Sequence, residues 1–180
     1  MAENQDRRVR RTTSALHAAL FELIGSRGYD RISVQDIIDR ADVGRSTFYA
    51  HFRDKDDLLL SSLDMLTADL DRHLPEPDAD GPVLPSLGLF MHIEHQHHIF
   101  EGLFRSRAID IVERETRTML EARALRELER RGGTHPVATP VRAAFLAGAL
   151  MWQARWWISA GRPGGPQQAA ADFDRLVEAA

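Results

Sequence analysis

Two groups of side chains in this chain combine residue types and spacings that could do chemistry. The first is His92-Ile93-Glu94-His95-Gln96-His97-His98, with Glu101 shortly after it. Histidines at i, i+3 and i+6 of one helix share a face, so His92, His95 and His98 could offer three nitrogen ligands to a metal ion. Glu94 with His97 also makes one Glu-x-x-His unit, which carboxylate-bridged di-metal bundles use in pairs. The chain holds no second unit and no cysteine. No metal and no cofactor are therefore expected, and the imidazoles are read as rimming a ligand pocket or facing solvent. A metal-sensing regulator, or a metal-dependent helical enzyme built on His92 to His98, is the alternative.

The second group is Arg45, Ser46, Thr47, Tyr49, Ala50, His51 and Lys55. An arginine guanidinium can pair bidentately with the edge of a guanine, while hydroxyls, imidazole and ammonium suit phosphate oxygens. Such a set reads a duplex only if a helix holds it against a groove.

The flanking residues supply that helix. Ser33 with Asp36 fits a capping box, and Ile32 with Ile37 fits a hydrophobic staple, so a helix is expected to start at Ser33. Its apolar side is Ile37, Ile38 and Ala41. Asp42-Val43-Gly44 breaks it, with Gly44 expected to supply the backbone freedom of a tight turn and Val43 to plug the angle between helices. A second helix, about Arg45–Phe52, would turn Phe48 and Phe52 inward and leave Arg45, Ser46, Tyr49 and Ala50 outside. A third begins at Asp54, with Asp57 at the capping-box position. Helix, tight turn and second helix form the layout of a DNA-reading helix-turn-helix.

The run Thr47-Phe48-Tyr49-Ala50-His51-Phe52-Arg53-Asp54-Lys55-Asp56-Asp57-Leu58 resembles the signature that closes the DNA-binding domain of TetR-family transcriptional regulators. The resemblance extends upstream through Ala18 to Ile24 and Gly28-Tyr29-Asp30, covering roughly residues 8 to 60. A second likeness, in Phe145 to Leu150 and Trp156-Trp157-Ile158, is to the C-terminal domain of one subgroup. The resemblance implies that Thr47, Tyr49, His51 and Lys55 hold phosphates, with Ser33 a further candidate. It also implies a homodimer in which the last two helices pair with their copies, and a small-molecule effector bound in the larger domain.

Composition agrees with such a protein. Residues 1–55 carry a net charge of +2 and residues 56–180 a net charge of −6, so the positive field is confined to the expected headpiece. Arg7, Arg8, Arg10 and Arg11 cluster ahead of the first helix core. They read either as a solubilising tail or as contacts to phosphate or the minor groove. Lys55 is the only lysine. In the first turn of a helix a cation opposes the dipole, so a nearby anion, a DNA phosphate, is expected to balance it. The longest apolar run, Ala143 to Trp152, is too short to span a bilayer. With four arginines in the first eleven residues, a signal peptide is not expected either. A soluble cytoplasmic protein, with no membrane partner, follows as the expectation. No glycine-rich phosphate loop or nucleophile motif is present, so the chain is not expected to be an enzyme.

The remainder reads as all-α, with about nine helices in total: an N-terminal three-helix headpiece (1–55) and a larger helical effector-binding and dimerisation domain (56–180). Helix 1 is expected from Arg8 or Thr12 to Arg27, stopped by Gly28. Helix 4 carries Leu59, Leu63, Leu66 and Leu70 and ends at Pro75, after which proline-rich 75–85 is a loop. Further helices are expected at about 84–98, 99–106, 107–131, 137–161 and 166–179. Phe90, Met91, Phe100, Phe104, Met119, Trp152 and Trp156 are the candidate lining of a mainly apolar effector pocket. Ala144, Ala147, Gly148, Met151, Phe173, Leu176 and Val177 are the candidate dimer contacts. Double-stranded operator DNA, a small-molecule effector and a second copy of the chain are the expected partners.

Overall fold

The computed structural model describes residues 2–63 and 81–178, with side chains from residue 7 onward. All regular structure among the described residues is helical. Contacts divide the chain into two compact units. One is Met1–Met65 with His98–Val112, the other Leu66–His97 with Glu113–Ala180.

The first unit begins with α1 (Ala2–Arg27), which starts before either residue expected from sequence. Leu16, Leu20, Leu23 and Ile24 recur on one face and are all buried. Gly28 stops the helix with a positive φ of 74°, a backbone conformation that favours glycine. A 3-10 turn (Tyr29–Arg31) leads to Ser33, whose side chain caps α2 (Val34–Ala41) in a complete capping box with Asp36. The turn that follows differs in one respect from expectation. Asp42 adopts the left-handed conformation at φ 52°, while Gly44 is extended at φ −66° and caps the next helix. A short side chain that tolerates left-handed backbone does the work expected of the glycine. Val43 packs against the core as expected.

Helix α3 (Arg45–Tyr49) is shorter than the Arg45–Phe52 span suggested by the phenylalanine spacing, because residues 50 and 51 already turn away. Phe48 and Phe52 are nevertheless both buried, with ring centroids 5.9 Å apart. Helix α4 covers residues 55–63. Asp54 accepts the Asp57 N–H at 2.8 Å, and Asp57 accepts the Arg53 N–H at 3.0 Å, so both aspartates serve its N-terminus. Leu59 and Leu63 are buried; Leu66, Leu70 and the stop at Pro75 lie outside the described residues. Leu103, Ala108 and Val112 complete this core from later in the chain.

The second unit contains α5 (Ser86–His95), most of α7 (Ile109–Arg131), α8 (Thr139–Ser159) and α9 (Gly165–Glu178), while α6 (His97–Phe104) lies almost wholly in the first unit. Helices α5 and α9 pack along each other, fastened by the Ser86 hydroxyl donating to Asp174 at 2.8 Å. Phe90 meets Trp157 edge to face at 5.3 Å. The Trp157 indole N–H reaches the Pro163 carbonyl at 3.0 Å, and the Gln153 amide the Ala169 carbonyl at 2.7 Å. These bonds satisfy polar groups that would otherwise be costly inside an apolar core. At the C-terminal end of α7 the buried Glu127 accepts from Arg130 and Arg131, which hold its carboxyl down at about 2. No helix among the described residues is long and apolar enough to cross a membrane.

Candidate nucleic-acid interface

Arg45, Ser46, Thr47, Tyr49 and Ala50 are all exposed around buried Phe48, so α3 presents one polar, cationic face. Its rigidity comes from below: Phe48 and Phe52 root it, and the Ser33–Asp36 cap sets the start of α2. The Arg45 guanidinium is oriented on two sides. It donates to the Gln35 side-chain oxygen at 3.3 Å and lies 5.6 Å from the centre of the Tyr49 ring. Gln35 in turn donates to Asp39 at 2.7 Å. Gln35 was not among the residues singled out from sequence. Its only signal there is the i, i+4 spacing to Asp39 on the outer side of α2.

The residues matched to phosphate contacts separate into two kinds. Thr47 and Tyr49 are open to solvent and His51 is half-buried beside Phe52. Ser33 and Lys55 are internally engaged. The Ser33 hydroxyl donates to the Asp36 carboxylate and accepts the Asp36 N–H. That bond and the Ser33 N–H hold the Asp36 carboxyl below the usual range. Lys55 donates to the carbonyls of Tyr29 and Ile32 at 2.9 and 2.8 Å and sits 4.4 Å from the centre of the Tyr29 ring. Burial pushes its pKa down, and the Arg107 charge pushes it the same way. Two carbonyl oxygens and an aromatic face thus balance a charge that a phosphate was expected to balance.

The candidate effector residues differ in burial and are divided between the two units. Phe90 is fully buried against Trp157, while Met91, Phe100, Phe104 and Met119 are half-buried and fall in both units. Trp152 and Trp156 are 69% and 48% exposed. They share an outer stripe of α8 with Val141 and Phe145, at helical spacing, and a side chain added at Gly148 would meet open space. None of the seven lines the cleft of about 440 Å³ in the first unit, whose walls include Gly25, Tyr29, His98, Glu101 and Arg105. Of the candidate dimer contacts, Ala144 and Leu176 are exposed and Gly148, Met151 and Val177 half-buried; Ala147 and Phe173 belong to the core of their own unit.

The histidine cluster loses its common face. Helix α5 ends at His95 and α6 starts at His97, so the i, i+3, i+6 spacing crosses a break at Gln96. Glu94 pairs with Arg162 at 3.1 Å. Among the described residues no three histidines or carboxylates are placed to hold a metal ion.

Residues 16–61 match the family described as bacterial regulatory proteins, tetR family. The uncharacterized HTH-type transcriptional regulator YxbF of Bacillus subtilis (strain 168) is 34% identical over 70 residues, which is 38% of this chain and only 18% of that relative. The fold is similar over nearly the whole chain to two solved structures. A putative TetR-family transcriptional regulator from Syntrophomonas wolfei has a TM-score of 0.74 at 19% identity, covering 94% of each chain. A TetR transcriptional regulator from Streptococcus agalactiae has a TM-score of 0.74 at 22% identity, covering 98% of this chain and 99% of that one.

Proposed function

We propose that this chain, whose residues 16–61 match the tetR family of bacterial regulatory proteins, is a DNA-binding transcriptional regulator of that family, and that it is a ligand-responsive repressor acting in the cytoplasm. Two copies would set their α3 helices into successive major grooves of a partly palindromic operator. The observation that carries this reading is the exposed face of α3, with Arg45 steered by Gln35 and Tyr49. Arg45 would read a guanine edge, with Ser46, Tyr49 and Ala50 beside it; Thr47, Tyr49 and His51 would hold phosphates.

The apolar stripe of α8 and exposed Leu176 on α9 favour a homodimer through the second unit, because so much contiguous apolar surface is rarely left to water. The chain devotes far more residues to its other helices than a headpiece needs, which favours a small apolar or aromatic effector that weakens operator binding. By linkage, operator DNA would weaken effector binding by the same factor. The break at Gln96 gives the metal-sensing and metal-enzyme readings no support.

Selection of genomic fragments followed by titration tests the reading. Arg45→Ala is expected to cost roughly 1–3 kcal/mol per half-site on the selected operator and to relax preference at one base pair. A wild-type protein that prefers no duplex, or an Arg45→Ala protein with unchanged preference, contradicts it.

A further inference from the structure

A cleft of about 440 Å³ separates the end of α1 and the 3-10 turn from α6, and all of its walls belong to the first unit. His98, Glu101 and Gly102 of α6 and Arg105 just past it line one side, at the i, i+3, i+4, i+7 spacing of a single helix face. Glycine lets the two sides join. A Cβ at Gly102 would lie 2.4 Å from the Ile24 carbonyl oxygen, and one at Gly25 would lie 2.7 Å from the His98 ring. Backbone therefore packs on backbone at that junction, and the cleft opens beside it.

The charged groups of the walls are unevenly matched. Arg27 is paired with Asp36, and Asp30 with Arg107. Arg31 of the 3-10 turn and Arg105 on the α6 side are exposed, and neither guanidinium has a hydrogen-bond or ion-pair partner among the described residues. Two unmatched guanidinium groups lining one small space favour an oxyanion, which such a group grips with two parallel hydrogen bonds. The rest of the wall sets a second requirement. The Ser26 hydroxyl already donates to the Leu23 carbonyl, so its oxygen is left as an acceptor. The last carbonyls of α1, at Gly25, Ser26 and Arg27, have no intrahelical partner, and the Glu101 carboxylate adds further oxygens. These acceptors suit hydroxyl donors and oppose a bare polyanion, while a purely cationic ligand would meet the two arginines. The volume is that of a site for a small molecule.

We infer that this cleft binds a small hydroxylated oxyanion, of the sugar-phosphate or hydroxy-acid class, with Arg31 and Arg105 holding its anionic group and the wall oxygens accepting from its hydroxyls. The site shares no residue with the α3 face or with the apolar stripe of α8, and it requires neither. An occupant ties the 3-10 turn to α6 and stabilises the folded chain by mass action.

The test is calorimetric titration of the full chain with glucose 6-phosphate and with malate. Glucose, inorganic phosphate and succinate serve as the corresponding ligands that lack the anion or the hydroxyl. One of the two probes should bind with a Kd below about 1 mM, about tenfold or more tighter than its incomplete counterparts, and should raise the melting temperature. Which of them binds separates phosphate from carboxylate. Arg31→Gln/Arg105→Gln removes exposed charges that have no partner, so the variant should melt no lower than wild type, while its affinity for that probe falls about tenfold or more. Absence of binding by both probes overturns the proposal, as does binding that the double variant retains. Equal binding of inorganic phosphate or succinate also overturns it, leaving a site for an adventitious ion only. If wild type binds neither probe and the double variant loses affinity for random duplex DNA, the two arginines belong to the DNA backbone instead. Should the double variant melt lower, Arg31→Gln and Arg105→Gln are read singly, each expected to weaken the probe about threefold or more.

Discussion

The Lys55 ammonium of α4 bonds to the Tyr29 and Ile32 carbonyls and sits over the Tyr29 ring. The neighbouring Asp56 accepts the Tyr29 hydroxyl, and burial followed by that bond pushes the tyrosine's pKa far up. The first turn of α4 thus clasps the 3-10 turn that links α1 to α2. Removing the cation leaves two carbonyls short of a charged donor, at a cost of about 1.5–3 kcal/mol.

Lys55→Ala is therefore expected to lower stability by that amount and to weaken binding to all duplexes through the headpiece, with its salt slope near wild type. Unfolding curves and salt-dependent titrations read the two effects separately. A slope lower by about one at unchanged stability would instead put the ammonium on a phosphate.

Gly102 of α6 lies against α1 so closely that an added Cβ would be 2.4 Å from the Ile24 carbonyl oxygen. Backbone cannot give way as a flexible side chain can. Gly102→Ala should cost about 1–3 kcal/mol by overpacking, whereas Gly148→Ala, where the added carbon meets open space, should not lose stability this way. Equal denaturation midpoints for Gly102→Ala and wild type would mean that α6 does not dock as described.

His17 is 5% exposed, its two ring nitrogens have no hydrogen-bond partner among the described residues, and burial alone pushes its pKa below 6.5. The unfolded chain takes up the proton near 6.5, the folded chain only at lower pH. Stability from neutral His17 is therefore complete above 6.5 and is lost as pH falls from there toward the folded-state value. Melting temperatures between pH 7.5 and 5 should drop more steeply for wild type than for His17→Leu. Parallel profiles would exclude His17 as the source.

On the outer stripe of α8, Gly148→Glu would place a charge amid Phe145 and Trp152. If that stripe pairs with its copy, the variant should sediment as a monomer or precipitate, because the charge would be buried and the backbones forced apart. A dimer of native size would count strongly against the interface.

Local chemistry was legible in the chain itself. The Ser33 cap, the Asp54 and Asp57 pair, the buried Phe48 and Phe52, and the stop at Gly28 follow from residue types at fixed offsets along one helix. So did the all-helical class and the exposed α3 face, because spacing reports which side of a helix is apolar. Spacing does not report what covers that side. The partners of Lys55 are 23 and 26 residues away, and Trp152 and Trp156, apolar enough for a pocket, face outward on α8. The break at Gln96 divides histidines that an unbroken helix would align, and left-handed backbone falls at Asp42 rather than Gly44. Each of these depends on contacts between distant segments or on how two helices must meet, quantities that a one-dimensional pattern does not contain and that only the folded chain decides.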